Sequence, residues 1–593
     1  MIVDAARVHD ARVASDSTAS RDSSVDVRDT GSVTDGAGAD GMAQDAHQTA
    51  CPSATCLSAF LGTGQSLSQG HNSVPPISTT PTWPDAAFMT NLGVRPVTDS
   101  YNCIANPLDG GSIDALQSIE ESTSTDGNGE TIGSGALTKV EDLLSAAGSP
   151  LAPGFFSANG VGSQPYVCLK KTTQAYQNML TTLHAVSQVW TSSGSGRAVN
   201  LRAVTMTHGE SDFVGLNAVQ TTDAGAQTNV CSAARTSAAE YENDLVDLQV
   251  NVAKDAQAIT GQDTTPILFV DQMSSSTTSA WAPLCLGPAT TADVTLAQLQ
   301  ASLDHPNSIV MVAPKYQYGY LFADGVHLPA VSEEQLGEKY GEAFYQTFFQ
   351  SAPSVWKPLF ITAAVANGAV VTLSYNIPTA PLVLDTTWVN ASYTQPGVAS
   401  GFHYSDPADS AAVVSVALAP NKAQVLVTLT GVPHAPTGQR CIDYAFTGYT
   451  GCPENSMCNP RAGAGCDSGP ICGPRGNLHD SDPLVSRLQG GTGSFWSNIT
   501  GAQWIQQGAV SFFALTVPPS AVGALLEGQV VSVTGMTPSV YNTTAVITGV
   551  SSTGNVVYVG TDVTTDPGAA TVSGVATVNN HLWNWAAQQQ FCF

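Results

Sequence analysis

Residues 199–212 read Val199-Asn200-Leu201-Arg202-Ala203-Val204-Thr205-Met206-Thr207-His208-Gly209-Glu210-Ser211-Asp212. The first nine are strand-like, and the last five make a polar turn at the strand's carboxyl end. Helical spacing appears on both sides of this strand. Upstream, Tyr176, Met179, Leu180, Leu183, Val186 and Trp190 fall on one helix face; downstream, Tyr241, Leu245, Leu248 and Val252 do the same. Further out, short apolar runs at 57–62, 266–270 and 309–312 read as strands. A last helix should end near Phe349, with Ser332 and Gln335 forming a capping box. Strands alternating with helices predict an α/β domain whose parallel sheet is covered on both faces. In such a sheet functional groups gather at the carboxyl ends of the strands.

The whole chain has 593 residues, 42% hydrophobic and 11% charged. At roughly 100–200 residues per domain this predicts three or four domains and ample length for a large core. The 47 acidic against 20 basic residues give a net charge of −27. Such a surface repels phosphate backbones, which argues against nucleic acid and anionic membranes as partners. No apolar run approaches the ~18–20 residues of a transmembrane helix. Past residue 353 the helical period vanishes. Short strand candidates at 370–375, 382–389, 413–418 and 425–429, separated by turn residues, predict a β-sandwich. A second β-rich stretch follows at 511–578. The first fifty residues are rich in Asp, Ala, Ser, Thr and Gly and lack aromatics, so they read as a disordered tail. That tail resembles the tethers of some secreted bacterial proteins and would serve surface attachment. Met1-Ile2-Val3 itself is no signal peptide, since it has neither a basic start nor an apolar run.

Twelve cysteines, five of them between Cys441 and Cys472 in a Gly/Pro/Asn-rich stretch, favour disulfides and an oxidising, extracytoplasmic compartment. The competing reading, a zinc site, fits poorly. The five, seven and five residues that separate Cys452, Cys458, Cys466 and Cys472 match no common zinc pattern.

Three short blocks carry chemistry. Gly64-Gln65-Ser66 follows the first strand, His208-Gly209-Glu210-Ser211-Asp212 follows the strand quoted above, and Asp324-Gly325-Val326-His327 precedes the last helix. A serine at a strand-to-helix turn can present its hydroxyl, and its own N–H can help stabilise an oxyanion. An Asp and a His three apart on a loop can supply a general base and its orienting carboxylate. Each block alone also has a plain reading: a capping serine, a solvated turn, an Asx-turn beside a surface histidine.

In this order and spacing the blocks resemble SGNH-type hydrolases, and more closely the sialate O-acetylesterase-like branch of carbohydrate esterases. There the nucleophile sits in GQS, the middle block reads QGESD, and the last reads DGVH followed by Leu. Leu328 and the segment Ala313-Pro314-Lys315-Tyr316 extend the likeness, which covers roughly residues 55–350. The resemblance implies a three-layer α/β/α hydrolase domain and a secreted serine esterase that removes acetyl groups from O-acetylated carbohydrate, with no metal or organic cofactor. By the family's roles Ser66 would be the nucleophile, His327 the general base and Asp324 its partner. Gly162, in Asn159-Gly160-Val161-Gly162-Ser163, would donate to the oxyanion. Gln65 and Glu210 would line or support the site. His208 stands where the family has glutamine, so it is a third oxyanion donor only if its imidazole presents an N–H. His71 is expected on an exposed loop, His184 inside a helix, and Asp304-His305 in a turn.

Arg475-Gly476-Asn477-Leu478-His479-Asp480-Ser481-Asp482 and Leu582-Trp583-Asn584-Trp585 also look like segments of such relatives, where they lie close in sequence. Here about a hundred residues intervene. The expected organisation is therefore a tail (1–50), a hydrolase domain (51–352), a sandwich (353–490, closed by 579–593) and an inserted β-module (491–578). Cys592 would then lie near the Cys441–Cys472 cluster and pair within it. Two rivals stay open on these residues: a lipase- or polyesterase-like hydrolase using the same triad, and a non-catalytic glycan-binding surface protein.

Overall fold

The computed structural model describes residues 55–97, 106–214, 237–273, 293–321, 326–388, 399–445, 476–508, 510–571 and 573–593. The tail 1–50, Asp324, and Cys452, Cys458, Cys466 and Cys472 lie outside the described residues.

The first half is built on one sheet. In chain order its elements are β1 (Cys56–Gly64), β2 (Ala87–Thr90), β3 (Leu116–Ser118), α1 (Ile132–Ala146), β4 (Gly154–Ala158), α2 (Gln174–Ser192), β5 (Ala198–Thr207), α3 (Glu210–Val214), α4 (Ala238–Thr260), β6 (Ile267–Gln272), α5 (Asp293–Asp304), β7 (Ile309–Pro314) and α6 (Ala330–Phe344). The strand order is β3-β2-β4-β1-β5-β6-β7. All neighbours are parallel except β2 and β3. β1 is apolar throughout because both of its faces are covered. Leu57, Ala59 and Leu61 pack with Leu183 of α2, Leu245 of α4 and Leu299 of α5. Phe60 points the other way, to Leu137 of α1 and Leu336 of α6, and stacks on Phe344 with ring centres 4.4 Å apart. Helices thus cover both sides of the sheet. β4 and β5 flank β1, so the connections leaving β1 and its neighbours part company at its carboxyl end. That is the crevice where open α/β sheets place their ligands.

The short strand β2 and the edge strand β3 were not foreseen, since neither has a readable period. One local expectation needs correction. The capping box at Ser332 and Gln335 does not form: α6 starts at Ala330 behind Pro329 without a side-chain cap. Ser332 already lies inside the first turn, and its hydroxyl donates to the Gly319 carbonyl at 2.9 Å. A π-helical turn, Tyr345–Phe349, extends the helix.

The second half is β-structure. It comprises β8 (Phe360–Asn367), β9 (Val370–Asn376), β10 (Val383–Leu384), β11 (Phe402–Ser405), β12 (Val413–Leu418), β13 (Gln424–Leu429), β14 (Cys441–Tyr444), β15 (Leu478–His479), β16 (Ser494–Ile499), β17 (Gly501–Gln507), β18 (Val510–Thr516), β19 (Val530–Thr534), β20 (Thr543–Val550), β21 (Val556–Thr561), β22 (Gly574–Asn579) and β23 (Gln589–Cys592). The sheets β12-β13-β9-β8 and β11-β14-β23 share one core, in which Val371, Leu373 and Val427 meet Phe402 and Ile442. Strands β16 to β22 form a separate seven-stranded sheet, order β16-β22-β19-β20-β21-β18-β17, around Phe513, Tyr541 and Val559. Its two edge strands, β16 and β17, are joined through Thr500 alone, so the sheet rolls back on itself. We call residues 494–579 the rolled module.

Beyond the rolled module the chain returns, and β23 pairs antiparallel with β14. Cys441 and Cys592 sit opposite each other there, Cα atoms 4.0 Å apart, and form a disulfide that spans 151 residues of sequence. Cys56 and Cys168 each take part in a further disulfide, not with each other. A bridge closing so long a loop removes much denatured-chain entropy, so Cys592→Ser should destabilise the β14–β23 pairing by about 3 kcal/mol. Hydrogen exchange of these two strands under non-reducing conditions reads this directly. No helix among the described residues is long and apolar enough to cross a membrane.

Candidate active site

The carboxyl ends of β1, β4, β5 and β7 meet at the crevice. β1 ends at Gly64, whose φ of +132° belongs to glycine; a Cβ there would sit 2.2 Å from the Thr207 carbonyl oxygen. This close approach lets the chain turn sharply. The Gln65 N–H donates to that same carbonyl at 3.2 Å, and the 3₁₀ turn Ser66–Gln69 begins at once. Ser66 heads that turn, so its amide has no acceptor within it.

His327 approaches from the loop between β7 and α6. Its Nε2 lies 2.7 Å from Ser66 Oγ, within hydrogen-bond distance. The backbone around His327 is held from both sides. The Leu321 N–H donates to the His327 carbonyl at 2.8 Å, and the buried Ser73 hydroxyl donates to the Leu328 carbonyl at 2.6 Å. Asp324 falls outside the described residues, and the structure says nothing of its contact with His327.

His71 sits at the site, where an exposed loop position was expected. Its backbone N–H donates to the Ser66 carbonyl at 3.0 Å, and its ring meets His327 edge-on with centres 5.0 Å apart. Its Nδ1 is 2.9 Å from Asn128 Oδ1. The sequence signal was slight: a histidine five residues after the serine, past a glycine. His184 lies on α2, in line with its expected helical place, and His305 follows α5 beside Glu242 at 3.9 Å.

The loop after β4 is tied to the Ser66 turn. Asn159 and Val161 donate their N–H groups to the Gly62 and Gly64 carbonyls of β1, at 2.7 and 2.9 Å. The Gln69 side chain donates to the Gly160 carbonyl at 2.7 Å, and the Gln164 side chain donates to that of Gly162 at 3.1 Å. His208 is fully buried beneath this loop. Its Nε2–H donates to the Gln164 carbonyl at 2.9 Å, and its Nδ1 lies 2.8 Å from the Tyr241 hydroxyl. A carbonyl can only accept, which fixes Nε2 as the protonated nitrogen. Asp212, 3.4 Å from the same nitrogen, accepts the Tyr166 N–H at 2.9 Å. The structure therefore gives both ring nitrogens of His208 protein partners.

Gln65 and Glu210 bind the middle block to the sheet. Gln65 Oε1 accepts the Ser211 N–H at 2.9 Å. Glu210 pairs with Lys315 at 2.8 Å, and Lys315 pairs in turn with Asp271 at 2.9 Å. Asp271 also accepts the Tyr340 hydroxyl at 2.9 Å. Lys315 is fully buried. Burial opposes its charge, but Asp271 and Glu210 outweigh that and hold its pKa above the ordinary lysine value. Glu333 lies nearby in the same low-dielectric interior, and burial first, then Asp271, push its carboxyl well above the usual range. The sequence reading missed Asp271. Its signal was a single charge at the carboxyl end of an apolar strand, the position that Lys315 occupies after β7. Among the described residues no three His, Cys, Asp or Glu side chains are grouped to hold a metal ion.

The arrangement places a serine hydroxyl at the head of a 3₁₀ turn, an imidazole within hydrogen-bond reach of it, and both at the carboxyl end of β1. No family model and no curated protein matches the chain. Among solved structures, a carbohydrate acetylesterase from Xanthomonas citri is similar at 12% identity and TM-score 0.39, covering 70% of this chain and 80% of its own. A carbohydrate acetylesterase from Sinorhizobium meliloti gives 12% and 0.25, and an aryl esterase from M. smegmatis 11% and 0.26. Each covers 48% of this chain and 97% of its own.

Proposed function

We propose that this chain is an extracytoplasmic serine esterase that hydrolyses O-acetyl esters of carbohydrate through an acetyl-enzyme. The observation that carries the reading is the 2.7 Å approach of Ser66 Oγ to His327 Nε2 at the carboxyl end of β1. The substrate class rests on the resemblance of the three blocks to sialate O-acetylesterase-like enzymes. The compartment rests on the disulfides.

His327 takes the hydroxyl proton as Ser66 Oγ attacks the ester carbonyl carbon. Negative charge develops on the former carbonyl oxygen and is met by the Ser66 and Gly162 amides. His327 returns the proton to the departing sugar hydroxyl, leaving an acetyl group on Ser66. Water, deprotonated by the same imidazole, then releases acetate. Asp324 is assigned the His327 Nδ1–H. His208, with both ring nitrogens engaged, is left out of the oxyanion donors. Its role is to hold the Gln164 carbonyl, and with it the loop that carries Gly162.

The test is an acyl-chain series of p-nitrophenyl esters together with acetate release from acetylated glycans. Acetyl esters should be turned over at least tenfold faster than octanoyl esters, and at least one acetylated glycan should release acetate. A preference for long chains would favour the lipase-like reading, and no turnover of any ester would favour a binding protein.

A further inference from the structure

The rolled module reaches the catalytic loop through a contact between two glycines. Gly528 lies in the turn before β19, at φ +92°. A Cβ on Gly528 would lie 2.2 Å from Pro329 Cγ and 3.2 Å from Ser332 Oγ. Seen from the other side, a Cβ on Gly319 would lie 2.1 Å from the Gly528 carbonyl oxygen. Backbone meets backbone here, and no side chain fits between.

The place of the contact matters. Gly319 is on the arm entering the His327 loop, and Pro329 is on the arm leaving it, two residues beyond His327. Ser332 donates its hydroxyl to the Gly319 carbonyl at 2.9 Å, and the Leu321 N–H reaches the His327 carbonyl at 2.8 Å. The Gly528 turn therefore touches both arms of a loop whose tip must keep an imidazole in line with Ser66. The turn is itself anchored. Gln529 accepts the Leu526 N–H at 2.9 Å and extends its side-chain amide to Gln489 and Asn580, each at 3.3 Å. Gln489 lies just before the module and Asn580 just after it, and their side chains bond each other at 2.7 Å. The Gln489 side chain also donates to the Ala524 carbonyl at 2.6 Å. Entry, exit and turn are thus locked together. Next to the entry, the Arg487 N–H donates to Glu338 of α6 at 2.8 Å.

We propose that the rolled module is a brace for the catalytic loop, and that Gly528 and Gly319 are positioning residues that set where His327 stands relative to Ser66. The proposal rests on the esterase reading given above. Rate depends steeply on the placement of a general base, and a misplacement of ~1 Å costs on the order of a hundredfold. Substrate binding is not asked to change.

The test uses the full chain with Gly319→Ala and, separately, Gly528→Ala. Gly319 has ordinary backbone angles, so Gly319→Ala adds only the methyl group. If Gly528→Ala fails to fold because of its left-handed backbone, Gly319→Ala carries the test. With p-nitrophenyl acetate, kcat should fall ~10–100-fold with KM within twofold. The pH profile of kcat/KM should shift on its acidic limb, and amides of residues 326–328 and 330–331 should exchange faster. A purely structural role would lower stability and leave the pH profile in place. Wild-type activity with both variants unchanged in kcat and in exchange would overturn the brace. A wild-type chain inactive on every ester, whose variants still loosen residues 326–331, would instead overturn the esterase reading and leave the brace standing.

Discussion

Ser66→Ala should lower kcat for acetyl-ester hydrolysis about 10⁴-fold or more while leaving the melting temperature within a degree or two. The size follows from what is removed. The oxygen that would form the acetyl bond disappears, and His327 is left with no proton to move. What survives is catalysis by the amides and by substrate positioning, which in serine hydrolases amounts to a small remnant. Stability should hold because Ser66 Oγ makes its bond to a partly exposed imidazole, and because alanine suits the first position of the 3₁₀ turn. His327→Ala should fall in the same range, and the double variant should lose little more, since the two groups act as one unit. Steady-state rates with p-nitrophenyl acetate and a thermal melt of each variant check both statements.

The second large effect is on stability against pH, which should be greatest near pH 5 and decline toward pH 8. Helix α6 is buried on all sides although it reads Ala330-Val331-Ser332-Glu333-Glu334-Gln335-Leu336-Gly337-Glu338-Lys339 and continues with Tyr340-Gly341-Glu342. Burial first, then Glu130, push the Glu334 carboxyl up to about 8, with Arg487 offsetting part. Burial raises Glu338 to about 7 against the pull of Lys139, and Glu342 to about 8 against the pull of Lys339. Glu130, which accepts the Ile77 and Ser78 amides, is raised to about 7 by burial and Glu121. These groups hold protons in the folded chain that the unfolded chain releases above about 4.5. The folded state therefore binds more protons between pH 5 and 8, and stability falls as pH rises through that window. Each group contributes at most ~1.4 kcal/mol per pH unit, and coupling among neighbours keeps the sum on the order of 5 kcal/mol. For a chain of this size that is roughly 5 °C in melting temperature. At the acid end Asp385 and Asp482 work the other way. Burial opposes their charge, but His479, 3.4 Å from Asp385, with the Thr387 and Trp388 amides that donate to Asp385, and the attraction of Lys339 for Asp482 hold both below the ordinary value, so their stabilisation is lost as pH falls below about 4. The net charge of −27 adds repulsion in the same direction as the glutamates. Glu338→Gln should flatten the slope between pH 5 and 8. A melting temperature that rises from pH 5 to pH 8 would contradict this ledger of buried acids.

The legible and illegible parts of the fold divide along physical lines. β1, β5, β6 and β7 are apolar runs because both faces of a parallel sheet are buried, and α2 and α4 show a single apolar stripe because each buries one face. Those patterns are local and could be read. The helix α6 itself was expected, ending near Phe349, but its burial on all sides could not be read. Part of the cover over its charged side chains comes from residues 480–487 and 582–584, far along the chain. The Lys339 ammonium bonds the Leu582 carbonyl at 2.9 Å and Asn584 Oδ1 at 2.6 Å.

The site divides in the same way. Ser66 and His327 stood out because each sits in a short polar block beside a regular element, Ser66 at a strand end and His327 just before the last helix. His71 and Ser73 act through contacts with Ser66, His327 and Leu328, and no spacing in the sequence announces those contacts. Gly319 and Gly528 are individually ordinary glycines that acquire meaning only when the 208 residues between them fold so as to bring them face to face. His208, standing where the resemblance has glutamine, was read as a third oxyanion donor only on condition that its imidazole presented an N–H there. The burial of its ring between Gln164 and Tyr241 follows from the placement of α4, which a single position cannot reveal.

The central claim, that Ser66 is a nucleophile activated by His327, is tested most directly by covalent labelling. The intact protein would be treated with a fluorophosphonate and its peptides mapped by mass spectrometry. The account predicts one phosphonyl adduct, on Ser66, that disappears in His327→Ala and is slowed by an acetyl-ester substrate. A folded wild-type protein whose Ser66 peptide stays unmodified, or whose label lands on another serine, would contradict it.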